Sequence, residues 1–83
     1  MSDPGVDLEI KYCQACGYLS RALSLVAAIE AAHGLSVQLT PVSGGRYELW
    51  SGGQLLLKRS WLTVPSEQAM LDALARFLDA RAG

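Results

Sequence analysis

Tyr12-Cys13-Gln14-Ala15-Cys16-Gly17-Tyr18 is the stretch from which the fold of this 83-residue chain can be read. It holds both of the chain's cysteines and joins two segments of different periodicity. Upstream, Val6, Leu8, Ile10 and Tyr12 alternate with Asp7, Glu9 and Lys11. Period two with one polar side predicts a half-buried strand over residues 6–12. Downstream, Leu19, Ala22, Leu23, Val26, Ile29 and Glu30 recur at helical spacing among many alanines. They predict an amphipathic helix over residues 16–32. Cys-x-x-Cys between a strand and a helix is the arrangement of a redox-active pair. A helix starting at Cys16 would aim unpaired backbone N–H groups and its positive dipole end at the motif. A thiolate is favoured there, and the thiolate is the reactive form of cysteine.

Working outward, Gly34 is placed to end the helix, with His33 in its last turn. Residues 35–40 read as a short strand with Val37 and Leu39 inward. A strand, a helix and a strand in this order predict a parallel βαβ unit. Residues 41–45, opening with Pro41, read as a turn-rich loop. Residues 46–50 and 54–59 read as two strands joined by Ser51-Gly52-Gly53, a hairpin signal. Residues 61–64 either extend the second of these or connect onward. Pro65-Ser66-Glu67 opens a last helix, whose apolar stripe is Met70, Leu71, Leu74, Phe77 and Leu78. Residues 79–83 are expected to fray.

The sum is β-α-β-β-β-α. The polar faces of the strands predict a four-stranded mixed sheet with both helices on one face, an α/β (α+β two-layer) domain. A disordered segment over residues 1–5 and a single domain over residues 6–80 are expected. The cysteine pair then sits at the carboxyl end of the first strand, where open α/β sheets commonly place their sites.

Composition narrows the function. A chain this short buries only roughly 60–65% of its unfolded surface. Its 51% hydrophobic content supplies one core. The net charge of −1 and scattered basic residues argue against nucleic acid or a membrane surface as partner. The longest apolar run, residues 25–29, cannot span a bilayer, and Met1-Ser2-Asp3-Pro4-Gly5 does not read as a signal peptide. The expected location is therefore the reducing cytoplasm, where a lone cysteine pair is more often catalytic, redox-sensing or metal-binding than a structural staple. Two cysteines and one distant histidine fall short of the four ligands that zinc usually takes, so neither a metal nor a cofactor is expected. His33 lies about a helix length, ~25 Å, from the pair and is read as a solvated residue, not as its base.

The stretch from Tyr12 to Tyr18 resembles the reactive loop of the selenoprotein W-like (Rdx) family. Its members carry Cys-x-x-Cys or Cys-x-x-selenocysteine directly after the first strand of a thioredoxin-like fold. Gly45-Arg46-Tyr47-Glu48-Leu49 is similar to that family's pattern of glycine, any residue, aromatic, glutamate and aliphatic. The amphipathic last helix after a proline is a third likeness, and together they cover residues 8–78. Cys13 matches the family's first cysteine, and Cys16 the position that selenocysteine occupies in some members. Ser60-Trp61-Leu62-Thr63-Val64 departs from the family by lacking a glycine-rich stretch found there in many relatives. The resemblance implies thiol-disulfide chemistry with protein thiols or glutathione as partners, and it names no physiological substrate.

Two functional classes stay open. One is a small thiol-disulfide oxidoreductase or redox relay with Cys13 and Cys16 as its catalytic residues. The other is a protein-interaction module whose cysteine pair gates or tunes partner binding. For the order of attack, Cys13 is expected to attack and Cys16 to resolve: a helix starting at Cys16 favours Cys13, nearer the N-cap, although the selenocysteine position in the resemblance points to Cys16. Tyr12 and Tyr18 flank the pair. They either pack, Tyr12 inward and Tyr18 over the helix start, or form a docking surface together with Trp61.

Overall fold

The computed structural model describes residues 7–60 and 63–82. Six elements follow one another: β1 (Leu8–Cys13), α1 (Leu19–His33), β2 (Val37–Val42), β3 (Tyr47–Ser51), β4 (Gln54–Lys58) and α2 (Glu67–Ala82). The strands form one mixed sheet in the order β2-β1-β3-β4. β1 runs parallel to β2 and antiparallel to β3, and β3 runs antiparallel to β4. β1 is therefore an interior strand, and its last residue is the first cysteine.

One face of the sheet carries the core. Leu8, Ile10 and Tyr12 of β1, with Tyr47 and Leu49 of β3, meet Ala22, Leu25 and Ile29 of α1 and Met70 and Leu74 of α2 in a single cluster. Both helices thus cover the same face, as the alternation in the strands predicts, and the fold is thioredoxin-like α/β. The intervening residues Glu9, Lys11, Glu48 and Trp50 are half-buried on the opposite face. They hold one another there. Thr40 donates to Glu9 at 2.6 Å, Trp50 Nε1 donates to Glu48 at 2.9 Å, and the Lys11 ammonium lies 4.5 Å from the Trp50 ring centroid. Desolvated cation–aromatic contacts of this kind are worth more than exposed ones.

Several boundaries differ from those read in the sequence. β1 extends through Cys13. α1 begins at Leu19, not at residue 16, because residues 14–18 form turns in which the Gly17 N–H bonds the Gln14 carbonyl at 3.2 Å. Gly17 has φ +77°, outside the right-handed helical region, so the helix starts only beyond it. The buried row of α1 is Ala22, Leu25 and Ile29, while Leu19 and Leu23 are 40% and 51% exposed. Leucines stand on both sides of this helix, and periodicity alone does not say which row meets the sheet.

Pro41 lies inside β2, not in a loop. β2 is an edge strand. The Val42 carbonyl accepts from Gln14, so Val42 turns toward the β1 side and Pro41 presents its missing N–H outward, where no ladder bond is lost. The β3–β4 hairpin closes through Gly52-Gly53 as expected. Residues 59, 60, 63 and 64 do not extend β4; the Ser60 and Thr63 backbones bond each other in a turn. Ser66 caps α2, its hydroxyl accepting from the Ala69 N–H at 3.1 Å. α2 does not stop at residue 78. Ala80, Arg81 and Ala82 are good helix formers, and a cation suits a helix C-terminus. The expected N-terminal disorder over residues 1–5 lies outside the described residues.

Candidate functional site

Cys13 and Cys16 are joined to each other, with their Cα atoms 5.4 Å apart, a separation within the normal disulfide range. Their surroundings differ. Cys13 ends an interior strand and is 2% exposed, whereas Cys16 stands exposed in the turn that follows. A strand end and a turn thus hold one cysteine each. The premise for Cys13 as the residue closest to the helix cap is corrected. The N-cap is Tyr18, so Cys16 lies two residues before it and Cys13 five.

Backbone bonds from two neighbouring strands fix the position of Cys13. Its N–H donates to the Arg46 carbonyl at 2.7 Å, on the β3 side. On the β2 side, the next N–H, that of Gln14, reaches the Val42 carbonyl at 3.4 Å. The turn folds back when the Tyr18 N–H approaches the Cys13 carbonyl at 3.4 Å. α1 has no side-chain N-cap and no acidic residue in its first turn. Its free N–H groups and positive dipole end are left at the end of the molecule where Cys16 lies.

The segment that holds Cys13 is itself clamped. Arg59 bonds the Tyr47 carbonyl through its backbone N–H at 2.9 Å and the Gly45 carbonyl through Nη1 at 3.1 Å. Gly45 has φ +74°, and a Cβ there would come within 3.0 Å of Arg59 Nη1. Any side chain at this position would be strained and would press on the clamp. Arg46 follows, its guanidinium bonding both Glu48 carboxylate oxygens at 2.9 and 3.0 Å. Arg46 and the Trp50 indole hold the Glu48 carboxyl below its ordinary range, against the opposing effect of burial. The likeness over residues 45–49 marked this segment in the sequence. Its backbone bond to Cys13, and the part played by Arg59, carry no signature there.

The flanking tyrosines separate. Tyr12 is 6% exposed and belongs to the core, so it offers little to a partner. Tyr18 is half-buried and packs edge-on against Tyr47, with ring centroids 5.7 Å apart. Trp61, the third residue of the expected docking surface, lies outside the described residues. Leu19 and Leu23, one turn apart on α1 after Cys16 in the chain, are exposed apolar side chains. His33 ends α1, at the far end of that helix from the motif. Among the described residues no three of His, Cys, Asp and Glu converge as metal ligands, and no helix is long and apolar enough to cross a membrane.

Chemically, the arrangement offers one reachable sulfur and one shielded sulfur within bonding distance of each other. An incoming disulfide can approach Cys16. Cys13, held on the strand, can then attack Cys16.

Comparison with known proteins gives three findings. Residues 7–76 match the model of the Rdx family. The fold is similar to that of a selenoprotein W-related protein from Vibrio cholerae, with a TM-score of 0.75 and 22% identity over 87% of this chain and 95% of that one. It is also similar to a protein from Bordetella parapertussis, with a TM-score of 0.69 and 24% identity over 86% of this chain and 95% of that one. No curated protein sequence matches.

Proposed function

The chain belongs to the Rdx family, and from that premise we propose that it is a small thiol-disulfide oxidoreductase or redox relay in which Cys16 attacks and Cys13 resolves. The observation that carries this reading is the unequal exposure of two cysteines within bonding distance. Attack requires access, and resolution requires only that the second thiol lie beside the first.

In the reduced protein, the Cys16 thiolate attacks one sulfur of a partner disulfide. The partner's S–S bond breaks, a Cys16–partner disulfide forms, and one partner thiolate leaves. The Cys13 thiolate then attacks the Cys16 sulfur, forms the Cys13–Cys16 bond and expels the second partner thiolate. The partner gains two electrons and takes up two protons from solvent; the cysteine pair loses two electrons. A thiol reductant, glutathione or a protein dithiol, reverses the sequence. The uncapped start of α1 favours the Cys16 thiolate over the thiol, because an anion near a helix N-terminus is stabilised. The cytoplasm is the compartment in which such a pair would cycle.

Trapping tests the order of attack. Cys13→Ser should accumulate a long-lived mixed disulfide on Cys16 with glutathione disulfide or with protein disulfides, read by intact-mass spectrometry, because the resolving thiol is gone. Cys16→Ser should accumulate little. The reverse pattern would make Cys13 the attacking residue. Negligible trapping by both variants would remove disulfide exchange and leave the module whose cysteines only tune binding.

A further inference from the structure

Resting on the thiol-exchange reading, we propose that the cleft between the starts of α1 and α2 binds the α-amino acid end of a small thiol or disulfide, its carboxylate at Arg21 and its ammonium at Glu67.

Topology puts this cleft at the end of the molecule where the cysteines lie. β4 and β1 are both antiparallel to β3, so β4 ends where β1 ends, and α2 starts from that side. α1 starts there as well, directly after the motif. Between the two helix starts lies a cleft of about 300 Å³ lined by Ser20, Arg21, Ser24, Tyr47 and Glu67. That volume is at the small end of ligand sites. Its link to the motif is Tyr18, two residues past Cys16, whose ring packs on the cleft-lining Tyr47.

Tyr47 supplies a second, independent sign of a ligand. It is 2% exposed, lines the cleft, and its hydroxyl has no hydrogen-bond partner among the described residues. Burial raises its pKa, with Arg21 opposing and Glu67 adding to the shift. The phenol therefore stays protonated at neutral pH and is an unused donor beside charges of both signs. The hydroxyl oxygen itself is not fully buried, so it is open to a bound carboxylate, which would accept from it.

The two charges do not neutralise each other. Arg21 and Glu67 form no ion pair, and the contact that Glu67 makes is with the Ser24 hydroxyl. A plain anion entering between them would be repelled by Glu67, and a plain cation by Arg21. A zwitterion with both charges on one carbon meets neither penalty. The helix starts fix its direction. α1 has no side-chain cap near Arg21 and welcomes a carboxylate, whereas Ser66 caps α2 and Glu67 already complements its dipole. Residues inside a protein chain carry no such zwitterion, so the cleft would separate small amino-acid thiols from protein thiols.

S-methylcysteine, which cannot exchange, is the probe for binding. Titrated into the protein and followed by amide NMR, it should shift Ser20, Arg21 and Ser24. N-acetyl-S-methylcysteine, lacking the ammonium, should bind about tenfold more weakly, as should S-methylcysteine to Arg21→Gln. Equal binding of the acetylated probe, or no shift at those amides at any concentration, would overturn the proposal. Exchange is read separately, as the rate with cystine relative to the neutral 2-hydroxyethyl disulfide. This ratio should fall about tenfold in Arg21→Gln and stay at the wild-type value in Arg76→Gln, which changes an exposed arginine of α2 outside the cleft. An unchanged ratio in Arg21→Gln would also overturn it. Binding of the probe without exchange of either disulfide would uphold the cleft and refute the thiol-exchange reading.

Discussion

Glu48 shows how a residue on the far face of the sheet contributes to the site's support. Its side chain is 13% exposed and accepts from the Arg46 guanidinium and the Trp50 indole. Arg46 is also the residue whose carbonyl receives the Cys13 N–H. The carboxyl's pKa is lowered in the folded protein, first by the hydrogen bond from Arg46. A lowered carboxyl contributes stability that is present above its unfolded value, ordinarily 4.5, and is lost as pH falls through the folded value. Glu48→Gln should therefore melt below the wild type at pH 7, and the two melting temperatures should converge as pH drops beneath 4.5. Thermal melts across pH check this. A constant gap down to pH 3 would mean that the charge on Glu48 is not what matters. Little of this was legible in the sequence, where Glu48 was one position of a resemblance. Trp50 shares its face two residues along β3, but Lys11 becomes a neighbour only through the pairing of β1 with β3.

Among the elements, α1 separates what periodicity can and cannot say. Its existence, its glycine end at Gly34 and its place after the cysteines were all readable. Its start and its buried face were not, for two physical reasons. Gly17 can adopt a left-handed turn that no helical pattern announces. Leu19, Leu23 and Leu25 are equally apolar, and only the location of the sheet and α2 decides that Leu25 is buried at 0% exposure while Leu23 is open at 51%. Leu25→Ala should cost about 2–5 kcal/mol in denaturant unfolding, as for other buried leucines. Leu23→Ala should change stability by less than about 0.5 kcal/mol, as surface substitutions usually do. Equal losses would mean that the helix is rotated from the orientation described. β2 teaches the same lesson from the other side. Pro41 reads as a loop residue until its strand is known to be an edge with that nitrogen outward.

For the whole molecule, the order β-α-β-β-β-α and the one-sided packing were legible because they rest on alternation, and alternation survives in a single sequence. The site was legible as a pair of cysteines and no further. The carbonyls that hold Cys13 and Gln14 belong to Arg46 and Val42, about thirty residues downstream, and the cleft-forming Arg21, Tyr47 and Glu67 come from three elements. Nothing local links them.

The placement of Cys13 on an interior strand and of Cys16 in an exposed turn has a consequence in time. The Cys13 amide is paired at 2.7 Å inside the sheet and should exchange with deuterium only when the whole domain opens, among the slowest in the chain. Amides of the exposed turn after it should exchange by local fluctuation, orders of magnitude sooner. The sulfur–sulfur bond ties a slow clock to a fast one. Oxidation should then slow exchange across residues 14–17 while leaving Cys13 and the rest of β1 almost unchanged; reduction should release the turn alone. Exchange mass spectrometry of the two redox states would read this directly. Protection lost along β1 on reduction would mean that the strand leans on the bond and does not anchor it.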